Sequence, residues 1–515
     1  MSALLIRNYS VDGVYGSATC QDKTCKGILM KVYKLNSMGL FGLMLMSATQ
    51  SSWAQEQYQE FTGTHQQFKQ TSNKVVGTYI ANWSDPNSID DVPGDNLTHI
   101  LYAFLRACGP GELPNDATVC ANKPDYVLAE DDTTIDKQFA SKFLQLKQKY
   151  PHLKILPSVG GWGGSDTFPP MAKDPQARQV FVQSVVNYLR THRAFDGIDI
   201  DWEWPNTPEE GGHYADLMQD LRAAFDVLEA ELGRKYSITS AIGTHANNVR
   251  NIDYERAAPY LDYIFLMTYD FFGGWSRNNI GHHTSLDAHS ANMAASHGVM
   301  QGVQNLLNKS VPANKLVVGV AKYARGFDGV SLSASGTPIG GQASGLFPKA
   351  VQPWDEEGVG TYRRIVDEVI GQNGQGINGF TIRYDADCDC HYAWRESDTA
   401  FVGFDHPSSV IKKAQYVLNT NLGGIFAWEY AQDNGDILSA MNYGIGNQWL
   451  GNSNPGDGVG ACRGIANWRA EDVYRKGDQV HIDNRLYEAK WYSNNQHPAQ
   501  YSGRWQVWQF ISACN

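Results

Sequence analysis

The chain has 515 residues, 42 % of them hydrophobic and only 19 % charged, with 50 Gly, 14 Trp and 26 Tyr. So apolar and aromatic a composition excludes an intrinsically disordered protein. Forty-two Lys and Arg against 54 Asp and Glu leave a net charge of −12, so no overall positive field gathers phosphates or anionic lipid, and nucleic acid is not an expected partner. Few charges and many flat rings suit a neutral, hydroxyl-rich ligand such as a polysaccharide.

At the amino terminus the most apolar stretch is Met38 to Ala48. It falls short of the roughly 20 residues of a membrane span, so membrane insertion is not expected. Lys31 and Lys34 precede it and Ser52-Trp53-Ala54 follow, the pattern of an export signal cut after Ala54. Met30 is then the expected initiator and residues 1–29 an upstream extension. Six cysteines remain beyond the cut. In an exported chain they read as disulfides before metal ligands, paired by proximity as Cys108 with Cys120, Cys388 with Cys390 and Cys462 with Cys514. A Cys388–Cys390 pairing would close a very small, strained ring.

Residues 55–73 are polar and Gln-rich, without apolar periodicity, and read as a flexible leader. From Lys74 onward eight short β-rich runs begin at Val75, His99, Lys154, Gly197, Tyr236, Tyr263, Leu316 and Gly423. Amphipathic stretches lie between them, among them 137–149, 176–192, 214–232 and 408–418. Eight strand-then-helix units predict an α/β fold, a (β/α)8 barrel over 74–446, with catalytic residues at the carboxyl ends of the strands. The gap from about 325 to 404 carries its own helix pattern (362–370) and strand patterns (380–384, 400–404), which makes it an inserted α+β subdomain between strands seven and eight. Residues 447–461 have the Gly- and Asn-rich composition of a linker. The last module, 462–515, holds Trp468, Trp491, Trp505 and Trp508. A core this small cannot bury four indoles, so some must face out as a stacking platform for sugars, on a small all-β module.

The most informative segment is FDGIDIDWEWP, Phe195 to Pro205. In a strand alternate residues share a face, so Asp199, Asp201 and Glu203 point one way and Ile198, Ile200 and Trp202 the other. Inside a barrel, the apolar face packs on the helices and the carboxylates stack along the axis. Three like charges there must share protons, raising at least one pKa. A buried hydrogen-bonded cluster or a Mg2+ or Ca2+ site could use the same residues, although barrel metal sites gather ligands from several strands, and no metal or other cofactor is expected. As an acid with a tuned pKa, Glu203, uppermost on the strand, is the proton donor. Asp201 lies about 6.6–6.8 Å below it on the same side of a bound ring. A protein nucleophile belongs about 5 Å away across the scissile bond, which one strand can hardly supply, so the substrate itself is a candidate nucleophile.

DGIDIDWE resembles the DGxDxDxE signature of family 18 glycoside hydrolases, the chitinases. Ser158 to Trp162 (SVGGW) resembles that family's SxGG motif, Met267-Thr268-Tyr269-Asp270 its MxYD motif, and the segment from Phe426, with the insertion after Tyr323-Ala324-Arg325-Gly326, the bacterial chitinase A type. The resemblance runs from about Val75 to Gly446. It implies an endo-type chitinase acting on β-1,4-linked N-acetylglucosamine by retention, with Glu203 protonating the glycosidic oxygen and the substrate's acetamido carbonyl attacking C1. It further implies that Asp201 accepts the acetamido N–H and shares a proton with Asp199, and that Tyr269 orients the acetamido oxygen. Asp270 and Tyr323 would hold the sugar, with Met267 in the same pocket, and Trp428 would form the floor. Asp196 is expected to orient the strand. Tyr79, Trp83, Phe104, Trp162, Trp204 and Trp275 fall at or past strand ends and are candidates for a long cleft, with Tyr384 as a wall. His282, His283 and His297 have no matching ligand set in the sequence and are expected as solvent or helix-cap residues.

The tail resembles carbohydrate-binding modules of families 5 and 12, whose pattern falls here on Trp468, Tyr474, Gly477, Val480, Tyr487, Ala489, Trp491, Pro498, Trp505 and Trp508. Tyr492 stands where the pattern often has a second Trp. Trp468, Trp491 and Tyr492 are the expected chitin-binding face, with Trp505 and Trp508 buried. The expected partners are therefore chitin and N-acetylglucosamine oligomers, met by a secreted, monomeric enzyme. An endo-N-acetylglucosaminidase acting on N-glycans shares the signature, and a lectin or adhesin on the same scaffold is the non-enzyme alternative.

Overall fold

In a computed structural model of the chain, the eight apolar runs become eight parallel strands: Val75–Ala81, His99–Ala107, Lys154–Gly160, Gly197–Asp201, Ser237–Gly243, Tyr263–Met267, Leu316–Ala321 and Gly424–Trp428. They pair in sequence order, and the last pairs back onto the first, Gly424 opposite Val75, so that the sheet closes as a (β/α)8 barrel. The structure describes residues 58–111, 117–130, 133–291, 297–348, 357–450, 468, 470, 473–482, 485–502 and 506–513. The expected export segment, most of the linker, Trp505 and the Cys462–Cys514 pair lie outside the described residues.

Side-chain alternation sets two cores. Val75, Tyr79, Leu101, Phe265, Val317 and Phe426 fill the barrel interior, while their strand neighbours Val76, Ile80, Ile100 and Ile264 pack outward against the helices. Helix starts follow local chemistry. Asp174 and Thr207 accept backbone N–H groups of Gln176 and Glu210, each followed by Pro at the first helical position, and Gly233 ends the helix Pro208–Leu232 in the left-handed region at φ 65°.

The insertion is an antiparallel sheet: Ala343–Leu346, Tyr323–Val330, Ala400–Phe404, Cys390–Arg395 and Phe380–Asp385 in spatial order, with Val359–Thr361 also on Tyr323–Val330. It begins two residues earlier than the sequence patterns indicate, because Tyr323 follows directly on the seventh barrel strand. Disulfides join Cys108 to Cys120 and Cys388 to Cys390. In the tail the described strands Gln479–Ile482, Arg485–Ala489 and Trp508–Ala513 form an antiparallel sheet around Trp508, Tyr487 and Val480, and Val473–Tyr474 pairs with Ser493–Asn494.

Two expectations need correction. Residues 58–73 are not a flexible leader, and the linker does not begin at 447. Phe68–Lys69 pairs with Gln448–Trp449, Phe68 is fully buried, and Asn447 Oδ1 accepts the backbone N–H groups of Thr71 and Ser72 at 2.9 and 3.0 Å. A two-residue strand and amide hydrogen bonds leave no apolar period, so composition misreads this segment. Among the described residues no helix is long and apolar enough to cross a membrane.

Candidate active site

The fourth strand, Gly197–Asp201, carries its alternation as expected. Ile198, Ile200 and Trp202 are buried in the outer core, the Trp202 ring stacked on Phe168, and the acids face inward. Asp196, at the strand's start, is ion-paired with Lys147 and Arg234 and accepts the Ile155 N–H, the strand-orienting part expected of it.

Asp199 is fully buried. It accepts hydroxyl hydrogens from Tyr79 (2.9 Å), Ser158 (2.7 Å) and Thr239 (2.5 Å), contributed by three other barrel strands. Burial pushes its pKa up and the three hydroxyls pull it back. Asp201 is pushed well up, by burial first and then by the charges of Glu203 and Asp199. Its buried Oδ1 has no hydrogen-bond partner. Glu203 is raised to about 7 by burial and by Asp270, which brings this acid toward neutral pH, where a proton donor can work.

The SxGG motif has a steric reason. Gly160 has φ 113°, and a Cβ there would lie 2.1 Å from the Asp201 carbonyl oxygen. The next residue, Gly161, donates its N–H to that same oxygen at 2.9 Å, so the third strand can approach the acid strand only without side chains. Ser165 completes the support, donating to the Gly161 and Asp201 carbonyls and accepting the Glu203 N–H at 2.9 Å. The peptide bonds Ala103–Phe104, within strand two, and Glu203–Trp204 and Trp428–Glu429, at the carboxyl ends of strands four and eight, are cis.

Around the acids the sixth, seventh and eighth strands bring Tyr269, Asp270, Tyr323 and Trp428. Tyr269 is buried, its ring 6.1 Å from that of Tyr323, and burial with the nearby charges of Asp201, Asp270 and Glu203 keeps its hydroxyl protonated. Met267 is half-buried in the inner core below them. Asp270 accepts from Arg325 Nε at 2.6 Å and faces His283 Nδ1 at 3.7 Å. Its protein surroundings push its pKa up, but His283 and the Arg325 guanidinium outweigh this and hold the carboxyl well below the usual range. Trp428 lies against Tyr79 (ring centroids 5.1 Å), Phe104 (5.8 Å) and Trp83 (6.3 Å), one aromatic surface beside the acids.

Trp162, Trp275 and Trp83 are exposed at 85, 66 and 65 %, and Arg325 lies over the Trp275 ring at 4.7 Å. Large indoles left open at the mouth are what a ligand-stacking cleft presents. Trp204 differs from this group in being half-buried, its ring lying against Gly243 at the end of the neighbouring strand. Tyr384 sits on the edge strand Phe380–Asp385 of the insertion, half exposed, its hydroxyl bonded to Asp389 and Lys412. In the tail Trp491 and Tyr492 are exposed and Trp508 is buried, while Trp468 is half-buried, edge-on to His497.

The histidines correct the sequence reading. His282 and His283 are both buried rather than solvent-facing, the former with Nε2 3.0 Å from Asp385, and His297 stacks on Phe271. Arg325 and Thr239 have no assigned part in the sequence reading. Arg325 stands two residues beyond Tyr323, on the same strand face, which is the one signal that could have found it.

The model of glycosyl hydrolases family 18 matches residues 75–433. Chitinase A of Pseudoalteromonas piscicida is 35 % identical over 473 residues, covering 80 % of this chain, and this chain spans 57 % of that relative's length. A probable endochitinase of Orgyia pseudotsugata multicapsid polyhedrosis virus is 36 % identical over 409 residues, 72 % of each chain. Among solved structures, human YKL-39, described as a pseudo-chitinase with retained chitooligosaccharide binding, superposes with a TM-score of 0.61 at 25 % identity, over 72 % of this chain and 100 % of the other. On the extent of that match and the carboxylate strand at its centre, the chain belongs to family 18 of the glycosyl hydrolases.

Proposed function

We propose that the protein is an exported, endo-acting chitinase that hydrolyses β-1,4 links between N-acetylglucosamine units with the substrate's own acetamide as nucleophile. The observation that carries this reading is the buried Asp201 Oδ1, without a hydrogen-bond partner, at the end of the fourth strand and two residues before Glu203. An acetamido N–H supplies the missing donor. Glu203, raised to about 7, protonates the glycosidic oxygen as the C1–O bond breaks and the acetamido carbonyl oxygen bonds to C1. Asp201 holds the N–H and offsets the positive charge that spreads over the resulting ring. Water then attacks C1, giving a proton to the Glu203 carboxylate as the bond from C1 to the acetamido oxygen breaks and the acetamide is restored, and two inversions leave the β configuration. Family 18 is a known exception to the two-carboxylate scheme.

Asp199, held by its three hydroxyl donors, keeps Asp201 supplied with a proton partner. Tyr269 donates to the acetamido oxygen, Asp270 and Tyr323 hold the sugar, Trp428 floors the cleavage site, and Trp162, Trp275 and Trp83 stack sugars along the cleft. The exposed Trp491 and Tyr492 support chitin binding by the tail, which keeps insoluble substrate at high local concentration. The Cys108–Cys120 bridge supports export. The test is Glu203→Gln: turnover of N-acetylglucosamine oligomers is lost while their affinity stays. Binding with unchanged turnover in the variant contradicts the assignment, and binding without turnover in the unaltered protein marks a pseudo-chitinase.

A further inference from the structure

The turn between the insertion strands Phe380–Asp385 and Cys390–Arg395 brings together side chains that the proposed reaction does not use. One donor atom each of His282, Asp385, Cys388 and Cys390 lies within 4.8 Å of all the others. His282, Cys388 and Cys390 are buried. His282 Nε2 is 3.0 Å from Asp385 Oδ2, and His289 Nε2 reaches the same oxygen at 3.3 Å. Backbone bonds fix this turn onto the segment that carries the histidines: Asp287 N–H donates to the Cys388 carbonyl (3.1 Å) and Ser290 N–H to Asp387 Oδ2 (2.7 Å). His282 adjoins His283, which faces Asp270 in the cleft.

The two sulfurs are bridged in this structure. A bridge enclosing one residue restrains the unfolded chain little, in contrast to the Cys108–Cys120 loop. Nor does a neutral disulfide call for an imidazole and a carboxylate aimed at the same point. Two thiolates, one imidazole nitrogen and one carboxylate oxygen are, by contrast, a donor set for a four-coordinate zinc-class ion, with His289 as the outer partner that orients Asp385.

We propose that His282, Asp385, Cys388 and Cys390 form a redox-gated site for a zinc-class divalent cation, pinning the 282–290 segment to the insertion. A thiol reductant delivers two electrons and two protons to the Cys388–Cys390 bond and becomes a disulfide itself. The two thiols then lose their protons as the cation binds. In oxidising surroundings the sulfurs pair and the site is closed.

The test uses the full chain, reduced with excess thiol, freed of reductant without air, and equilibrated with Zn2+ or Co2+ alone. The reduced protein should retain one more equivalent of Zn2+ than Cys388→Ser/Cys390→Ser, with the other cysteines common to both, and its Co2+ form should show a sulfur-to-cobalt charge-transfer band that the double variant lacks. The untreated, bridged protein should match the double variant. His282→Gln, which retains a hydrogen-bonding side chain, should lower Zn2+ affinity at least tenfold while keeping the thiolate band at saturating Co2+. Equal Zn2+ retention by the reduced protein and the double variant, or a Co2+ spectrum without the thiolate band, overturns the proposal.

Discussion

Neutralising Asp270 offers a direct reading of how the site's electrostatics set its acid. Glu203 rises from 4.5 to about 7, with burial as the larger cause and the charge of Asp270 as the other. Asp270 therefore supplies the smaller part of the rise. Asp270→Asn keeps the shape and still accepts from Arg325 Nε, but removes the negative charge. The guanidinium is then uncompensated and also favours ionised Glu203. Both effects lower the pKa of the acid, and if Glu203 is the proton donor proposed above it must be protonated to act, so activity is then lost at lower pH. The alkaline limb of kcat/KM against pH, measured on a soluble N-acetylglucosamine oligomer, should move to lower pH, by up to about 1 pH unit. The absolute rate also falls as a sugar contact weakens, which is why the position of the limb and not its height is the readout. A limb that stays in place or moves up refutes the argument.

Trp162→Ala removes a ring that is 85 % exposed, so unfolding free energy should change by no more than about 0.5 kcal/mol, while affinity for long oligomers should fall by about 1 kcal/mol; urea titration and calorimetry separate the two. Replacing Cys108 and Cys120 by Ser removes a bridge spanning 12 positions and should cost about 3 kcal/mol of stability in urea; a loss below about 1 kcal/mol would mean the loop is held by other contacts. Ending the chain after Gly460 should lower retention on insoluble chitin severalfold and leave hydrolysis of soluble oligomers unchanged, and equal losses in both assays would make the tail structural.

The eight strands were legible because each is a β-rich run whose neighbours are helical, and the acid strand because period-two alternation sorts Asp199 and Asp201 from Ile198 and Ile200 without further context. What holds those acids was not legible. Tyr79, Ser158 and Thr239 come from three separate strands, and their convergence on Asp199 exists only once the barrel closes. The pairing of Arg325 and His283 with Asp270 likewise depends on how the insertion returns to the cleft. Residues 58–73 escaped for the opposite reason: they dock through amide and backbone hydrogen bonds and one buried ring, Phe68, which no hydrophobic period announces. The partners of Tyr384 were not legible either: the edge strand that carries it turns its hydroxyl to Lys412 and Asp389.

The central claim is that the acetamide, and not a protein carboxylate, bonds to C1. The measurement that reaches it most directly pairs N-acetylglucosamine hexamer with the fully deacetylated hexamer and follows the newly formed reducing end by NMR. The account predicts that the acetylated oligomer is cut with the β-anomer appearing first and that the deacetylated one survives. Fragments released from the deacetylated hexamer, or an initial α-anomer from the acetylated one, would contradict it.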